Sequence, residues 1–363
     1  MSLGDRVGRL AALAPSSELV DWSLFVSVVV LLTTGLATGF AGGLGDAWLF
    51  VVHGVAGLSL VVLIALKLYR VRARVRAGIR ARSGTVGLSV LLAGLALGTL
   101  GTGLWFVFGG PLYLGGLALL VLHVLLGVAI VPVLWLHLRD RLHAPSAALE
   151  GADRRDALRY AGLVGTGAVA WRSQRTVTRL LGTDSADRRF TGSRERGSDD
   201  GNRFPVTMWV ADDPAPVDPG TWSLSVAGAV ADPFALDHDD LSADGRRRAV
   251  IDCTSGWYSE HEWAGIPVTD LLERATPAED ARWVQFRSVT GYRWSLPVEE
   301  ARGALLATAV DGEPLSHGHG FPLRLVAPGR RGFQWVKWVE SVRVTRRREL
   351  GEWVAIFASG LSE

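Results

Sequence analysis

Cys253 is the single cysteine of a 363-residue chain, so no intramolecular disulfide is open to it. It is either buried filler or a thiolate with a task. It stands in Asp252-Cys253-Thr254-Ser255-Gly256-Trp257-Tyr258-Ser259-Glu260-His261-Glu262-Trp263. Gly, Ser, Thr and aromatic residues on both sides read as a tight, ligand-facing loop. A thiolate there is a soft donor for a thiophilic metal. Tyr258, His261 and Trp257 are its nearest polar or aromatic neighbours. One of them would face a ligand held at this loop; ordinary loop packing is the alternative.

Three upstream histidines form a second set. His123 and His137 are 14 residues apart, which on a helix returns to nearly the same face about 21 Å further along. With that spacing one helix can serve two stacked haems, each iron taking its second imidazole from another helix. His53 is the expected partner of His123. Fourteen residues after His53 comes Lys67. His137 would then pair with a weaker ligand, water or His143, or be an interfacial histidine beside Arg139.

These histidines sit in four apolar stretches, about Leu24–Phe40, Trp48–Tyr69, Val86–Phe108 and Tyr113–Leu138. A bilayer span needs roughly 20 apolar residues, and four such runs leave no polar faces to meet water. Ionisable groups inside spans are costly and usually functional. Small residues at Gly35, Gly39, Gly54, Gly57, Gly94, Gly98, Gly101 and Gly103 permit close helix packing or a flat macrocycle.

Loop charge sets the orientation. Arg70, Arg72, Arg74, Arg76, Arg80 and Arg82 lie between the second and third stretches, Arg6 and Arg9 before the first, and Arg139 and Arg141 after the fourth. The loops Ala41–Ala47 and Gly109–Leu112 have no Lys or Arg. By the positive-inside rule the N-terminus and the arginine loop are cytoplasmic. Arg154-Arg155 then precedes the Gly/Ala-rich stretch Ala161–Trp171, as in a twin-arginine export signal. A fifth crossing over Ala157–Trp171 places the rest of the chain outside; an amphipathic helix on the inner face leaves it inside. Residues 172–203 read as a linker.

From Phe204 the pattern is that of a soluble α+β domain. Thr221–Val226, Trp283–Val289 and Ser341–Thr345 read as strands. Asp270–Arg274 and Val298–Leu306 read as helices. No internal repeat of solenoid period is present. The formal net charge of +2 argues against nucleic acid as a partner.

The segment Asp252-Cys253-Thr254, Gly256-Trp257, Trp263-Ala264-Gly265-Ile266-Pro267 and Leu271-Leu272 resembles the molybdenum-cysteine segment of the sulfite-oxidase-fold oxidoreductases. Gly291-Tyr292, Ser295-Leu296-Pro297, Leu305-Leu306-Ala307 and Gly312-Glu313-Pro314-Leu315 follow in order. His319-Gly320-Phe321-Pro322-Leu323-Arg324, with Gly329, Gly332 and Trp335-Val336-Lys337-Trp338, is similar to that family's second cofactor segment. The resemblance covers about Phe204–Arg347. It implies a molybdenum-molybdopterin cofactor ligated by Cys253, with Thr254, His319, Arg324 and Lys337 about the pterin and its phosphate, and Tyr258 at the open metal position. Arg293 is either a cofactor or substrate contact or a solvated strand arginine. His317 and His319 make a His-x-His pair without a third zinc ligand. No second β-sandwich of the true sulfite oxidases follows, which speaks against sulfite as substrate and against their dimer. Residues 20–140 resemble the membrane cytochrome b subunits related to ferric reductases and to the haem partner of periplasmic methionine sulfoxide reductase, implying haem b on His53 and His123.

The expected organisation is a cytoplasmic N-terminus over 1–21 and an all-α transmembrane four-helix cytochrome b-like domain over 22–140. A connector with the fifth segment follows over 141–171, then a linker over 172–203. The molybdopterin oxidoreductase domain occupies 204–350 and a tail 351–363. The expected protein is a multi-pass cell-membrane molybdoenzyme with its C-terminal domain extracytoplasmic. It would reduce a small S- or N-oxide with electrons from the quinone pool or another membrane donor. Oxidation of a sulfur compound, a cofactor-free binding module on a transmembrane electron carrier, and a ferric-type reductase are the alternatives.

Overall fold

The computed structural model describes residues 17–81, 84–110, 112–114, 117–139, 154–183, 185–208 and 212–359. Arg6, Arg9, Arg82, Arg141 and His143 lie outside the described residues, as do the connector up to residue 153 and the last four residues of the tail. The chain divides into two compact units, Met1–Phe40 with Gly45–Gly192, and Ala41–Leu44 with Ser193–Glu363.

The first unit is helical: α1 (Ser17–Thr38), α2 (Ala47–Arg80), α3 (Gly84–Phe108), α4 (Leu119–Leu138) and α5 (Arg154–Leu180). A short pair of strands, β1 (Tyr113–Leu114) and β2 (Leu117–Ala118), precedes α4. The first four helices are long and apolar enough to cross a membrane. Their large apolar side chains point outward, among them Val29 and Leu36 on α1, Leu97 and Trp105 on α3, and Leu125 and Trp135 on α4. A helix bundle with apolar residues all round is suited to lipid.

The arginine segment is not a loop. α2 runs unbroken to Arg80, because Arg, Ala and Val alternate there with no proline and only Gly78 to weaken the helix. At 34 residues α2 is about 51 Å long, well beyond a hydrocarbon core of about 30 Å.

Helix α5 likewise replaces both the short apolar segment and the start of the expected linker. It packs against α2. Tyr160 shares a hydrogen bond of 2.6 Å with Ser23 near the start of α1. A Cβ on Gly167 would lie 2.8 Å from the Val55 carbonyl oxygen, and one on Gly54 would lie 2.0 Å from the Trp171 ring, so only glycine fits either place. Beyond α5, Arg188 donates to the Val107 carbonyl at 2.7 Å, and Phe190 meets Phe50 edge to face. The chain therefore enters this unit at the end where α1 begins and leaves it at the end where α3 finishes. α5 is not among the helices apolar enough to qualify as spans by composition.

The second unit is α+β. Its first sheet contains β3 (Arg194–Glu195), β6 (Gly245–Asp252), β7 (Trp257–Pro267), β10 (Leu305–Val310), β11 (Glu313–Pro314) and β12 (Arg324–Val326). The long strand β7 is the centre, paired with β6 and β10 antiparallel and with β3 parallel. The second sheet has the order β5 (Phe234–Asp237), β4 (Ser223–Gly228), β13 (Val339–Thr345), β8 (Trp283–Ser288), β9 (Arg293–Pro297). Short helices α6 (Val268–Ala275), α7 (Val298–Ala301) and α8 (Glu352–Ala358) complete it.

Two expectations are corrected here. The domain starts at Ser193 rather than Phe204, since β3 adds to the sheet by pairing Arg194 with Trp257. Val298–Leu306 is not one helix: α7 stops at Ala301, and Leu305 onward is strand. A short apolar run such as Leu305-Leu306-Ala307 has no period that separates helix from buried strand.

Candidate functional site

Cys253 lies in the four-residue turn between β6 and β7. Its amide donates to the Trp257 carbonyl at 2.8 Å, and the Gly256 amide donates back to the Cys253 carbonyl at 3.1 Å. Gly256 takes a φ of 99° to close the turn, a conformation that side-chain-bearing residues avoid. Cys253 is buried, and the Ser255 hydroxyl donates to its sulfur at 3.1 Å.

A loop from a distant part of the chain supports this turn from behind. Arg331 donates to the Asp252 carboxylate at 2.8 Å and to the Cys253 carbonyl at 3.1 Å. Ser193 donates to the same carboxylate at 2.6 Å. A Cβ on Gly332 would come 3.3 Å from the Cys253 Cα. Arg331, Asp252, Ser193 and Ser255 were not picked out by sequence. Nothing marks Arg331 among so many arginines until the fold buries it.

Arg324, Lys337 and His319 converge at Gly320, whose φ is 108°. A Cβ there would lie 3.1 Å from that of Lys337 and 3.2 Å from that of Arg324. Arg324 is buried, donates to the His319 carbonyl at 2.9 Å, and has its pKa pushed down to about 10 by burial, with a Cys253 thiolate opposing the shift. Lys337 donates to the Gly318 carbonyl at 2.8 Å. Burial, then repulsion from Arg324, pushes its pKa down to about 7, against the pull of Asp212, Cys253 and Asp213. His319 is pushed down to about 4, chiefly by burial and further by Arg324 and Lys337. It is therefore neutral at pH 7, with one ring nitrogen against Ser316 at 2.7 Å and the other donating to the Phe204 carbonyl at 2.9 Å. The His319 carbonyl thus holds Arg324, and the neighbouring Gly318 carbonyl holds Lys337.

The remaining candidates are placed differently. Thr254 is half-buried in the Cys253 turn. Tyr258 alternates on β7 with the buried Trp257, Ser259, His261 and Trp263, and so faces the opposite side of the strand from them. His261 is fully buried between Ser259 and Asp311, at 2.6 Å from each. Arg293 belongs to the second sheet, where it binds Glu349 and the Gly291 carbonyl. Among the described residues no group of three or more side chains could hold a metal ion by itself.

A buried thiol, a buried and a half-buried cation, and buried donors with no protein acceptor, Arg324 Nε and Gln334 Nε2, suit a thiophilic metal on a phosphate-bearing organic anion. The class this defines is a molybdopterin oxidoreductase. Residues 211–353 match the model of the oxidoreductase molybdopterin binding domain. The chain is 34% identical over 155 residues to the uncharacterized oxidoreductase YuiH of Bacillus subtilis, covering 41% of this chain and 78% of that one. It therefore belongs to the family of molybdopterin-binding oxidoreductases, and is an enzyme. Among solved structures it is similar to the sulfane dehydrogenase SoxCD from Paracoccus pantotrophus, at 26% identity and a TM-score of 0.35. That match covers 37% of this chain and 40% of the SoxCD chain.

In the helical unit, His53 of α2 and His123 of α4 face each other. Their ring centroids are 6.2 Å apart and the rings are nearly perpendicular, at 79°. Nδ1 of His53 is 3.0 Å from the Thr34 hydroxyl. Nδ1 of His123 is 2.8 Å from the Thr99 carbonyl and 3.3 Å from the Thr102 hydroxyl. Hydrogen bonds at Nδ1 fix the tautomer and leave Nε2 as the donor atom to a metal. His137 is 3.5 Å from the Ser89 hydroxyl, at the other end of α4.

Proposed function

We propose that this chain is a membrane-anchored molybdenum oxidoreductase carrying haem b on His53 and His123. It reduces a small S- or N-oxide with electrons drawn from the quinone pool or another membrane donor. The observation that carries this reading is the His53–His123 pair. Two metal–imidazole bonds of about 2.0–2.1 Å, plus the half-widths of two rings, come to about 6 Å between ring centres. The observed 6.2 Å is the separation a single iron between two imidazoles requires.

Fusion of an apolar, haem-competent bundle to an oxygen-atom-transfer domain supports a link to membrane electrons. Molybdenum exchanges two electrons and one oxygen atom with substrate, while haem passes single electrons. Reduction of the substrate consumes two electrons and two protons, and releases the sulfide or amine and water. Cys253 would hold the metal, and Arg324 and Lys337 the pterin phosphate. Haem reduced at quinol potential favours reduction over oxidation of a sulfur compound.

Helix α5 supports an extracytoplasmic site. It runs from the arginine-flanked end of the bundle, cytoplasmic by loop charge, to the opposite end. We take it as the fifth crossing, shielded on one face by α2.

The test uses full-length protein purified from a host that makes molybdopterin. Molybdenum and haem should both be present. Dithionite-reduced haem should reoxidise on adding a sulfoxide or an N-oxide, and in Cys253→Ser this reoxidation should be lost. Haem reduction by sulfite or a sulfane compound, with no reoxidation by oxides, would reverse the direction. Absence of haem would remove the electron route.

A further inference from the structure

The two helical hairpins of the first unit share a pattern of residues about their histidines. Thr34-Gly35-Leu36 of α1 corresponds to Thr102-Gly103-Leu104 of α3, and Val51-Val52-His53 with Gly57 of α2 to Val121-Leu122-His123 with Gly127 of α4. The correspondence is physical as well as textual. A Cβ on Gly35 would lie 3.0 Å from the His53 ring, and one on Gly103 would lie 3.0 Å from the His123 ring. Thr34 and Thr102 each place a hydroxyl at Nδ1 of the histidine in their own hairpin. The backbone partner of His53 is Leu31 and that of His123 is Thr99, again equivalent positions.

The correspondence runs on to the inner end, where the hairpins differ. Leu66-Lys67-Leu68 of α2 corresponds to Leu136-His137-Leu138 of α4, 14 residues beyond the ligand histidine in each. Asp21 of α1 corresponds to Ser89 of α3, 14 residues before the glycine in each. In one hairpin Ser89 approaches His137 as Thr102 approaches His123. In the other, Asp21 and Lys67 are joined as an ion pair. An ammonium held by a carboxylate has three N–H donors and no lone pair to give to iron.

We infer that the inner paired position of this bundle is a second haem site closed by the Lys67–Asp21 ion pair. The chain then carries one haem, and exchanging that pair for the residues of the other hairpin opens the site to another. This rests on the reading of His53 and His123 as haem ligands. It assigns Lys67 and Asp21 a role in setting haem number, and leaves His137 outside the haem ligand set.

The experiment measures haem per polypeptide by pyridine haemochrome on full-length protein. Wild type should contain one haem, and His137→Ala should keep it. Lys67→His combined with Asp21→Ser should contain two, the added one low-spin. Two haems in wild type, a loss of haem in His137→Ala, or a double variant that keeps its molybdenum and outer haem yet stays at one would overturn the inference. If the double variant does not fold, wild-type stoichiometry and His137→Ala still decide. Unchanged haem in His53→Ala, or none in wild type, would instead defeat the underlying ligand assignment.

Discussion

The Asp252 carboxylate and the Arg331 guanidinium form an almost fully buried ion pair, 2.8 Å apart, immediately behind the Cys253 backbone. The same guanidinium holds the Cys253 carbonyl. The pair therefore fixes the position of the Cys253 turn against a loop nearly eighty residues away along the chain.

Removing one partner strands a buried charge, a loss of roughly 3–5 kcal/mol. Arg331→Ala or Asp252→Asn should lower the unfolding midpoint of the C-terminal unit and reduce molybdenum content. Asp252→Leu with Arg331→Met should recover part of the stability, since apolar replacement of a buried pair is often neutral. Its molybdenum content should stay low, because the Cys253 carbonyl has still lost its donor. Denaturation curves alongside metal analysis separate the two effects.

Lys337 sets a pH dependence in cofactor-free protein. Its folded pKa is near 7, against about 10.4 in an unfolded chain. Between those values the unfolded state binds the extra proton, so stability rises with pH by up to about 1.4 kcal/mol per unit. Below pH 7 both states are protonated and the contribution is flat. Thermal melts of apoprotein from pH 6 to 10 should show this rise, and Lys337→Met should lack it. Identical profiles for the two proteins would refute the assignment.

Cys253→Ser should abolish turnover and strip molybdenum while leaving the proposed haem spectrum intact, because His53 and His123 belong to a separate compact unit. Lys337→Met and Arg324→Met should lower pterin content first, with turnover per molybdenum falling less. Pterin fluorescence after extraction measures the former.

Gly35→Ala and Gly103→Ala each place a methyl 3.0 Å from an imidazole carbon. The ring must shift by several tenths of an ångström, so haem content should fall in both and the reduced spectrum should shift. His53→Ala and His123→Ala should lose the low-spin spectrum altogether. Equal haem in wild type and both glycine variants would argue against the pairing.

For topology, a reporter active only outside the cytoplasm, fused after Ser359, should be active. The same reporter inserted after Arg80 should be silent. Replacing Arg154-Arg155 by Lys-Lys tests export separately: retention inside would show that the twin arginines are read as a signal.

The sequence by itself determined the family, singled out the lone Cys253 and marked the apolar helices. Each of these rests on residue types at short spacings, where local chemistry leaves little choice: a lone Cys among Gly and Ser, or 20-residue apolar runs. The positions of His53 and His123 along their apolar stretches also paired them, and the fold sets their rings 6.2 Å apart. Tertiary structure decided what depends on non-local contact. Arg331 became a support for Cys253 only because the Gly329–Gly332 loop folds behind the β6–β7 turn. Arg293 went to Glu349 on the other sheet, and β3 moved the domain boundary into what reads as linker. The arginine segment extended α2 because charge patterning says which side of a membrane a segment lies on, not whether its backbone is helical. The fold also brought Gly35 and Gly103 against equivalent rings. Only this made the shared pattern about the two histidines recognisable, since most of the surrounding apolar residues differ between the hairpins.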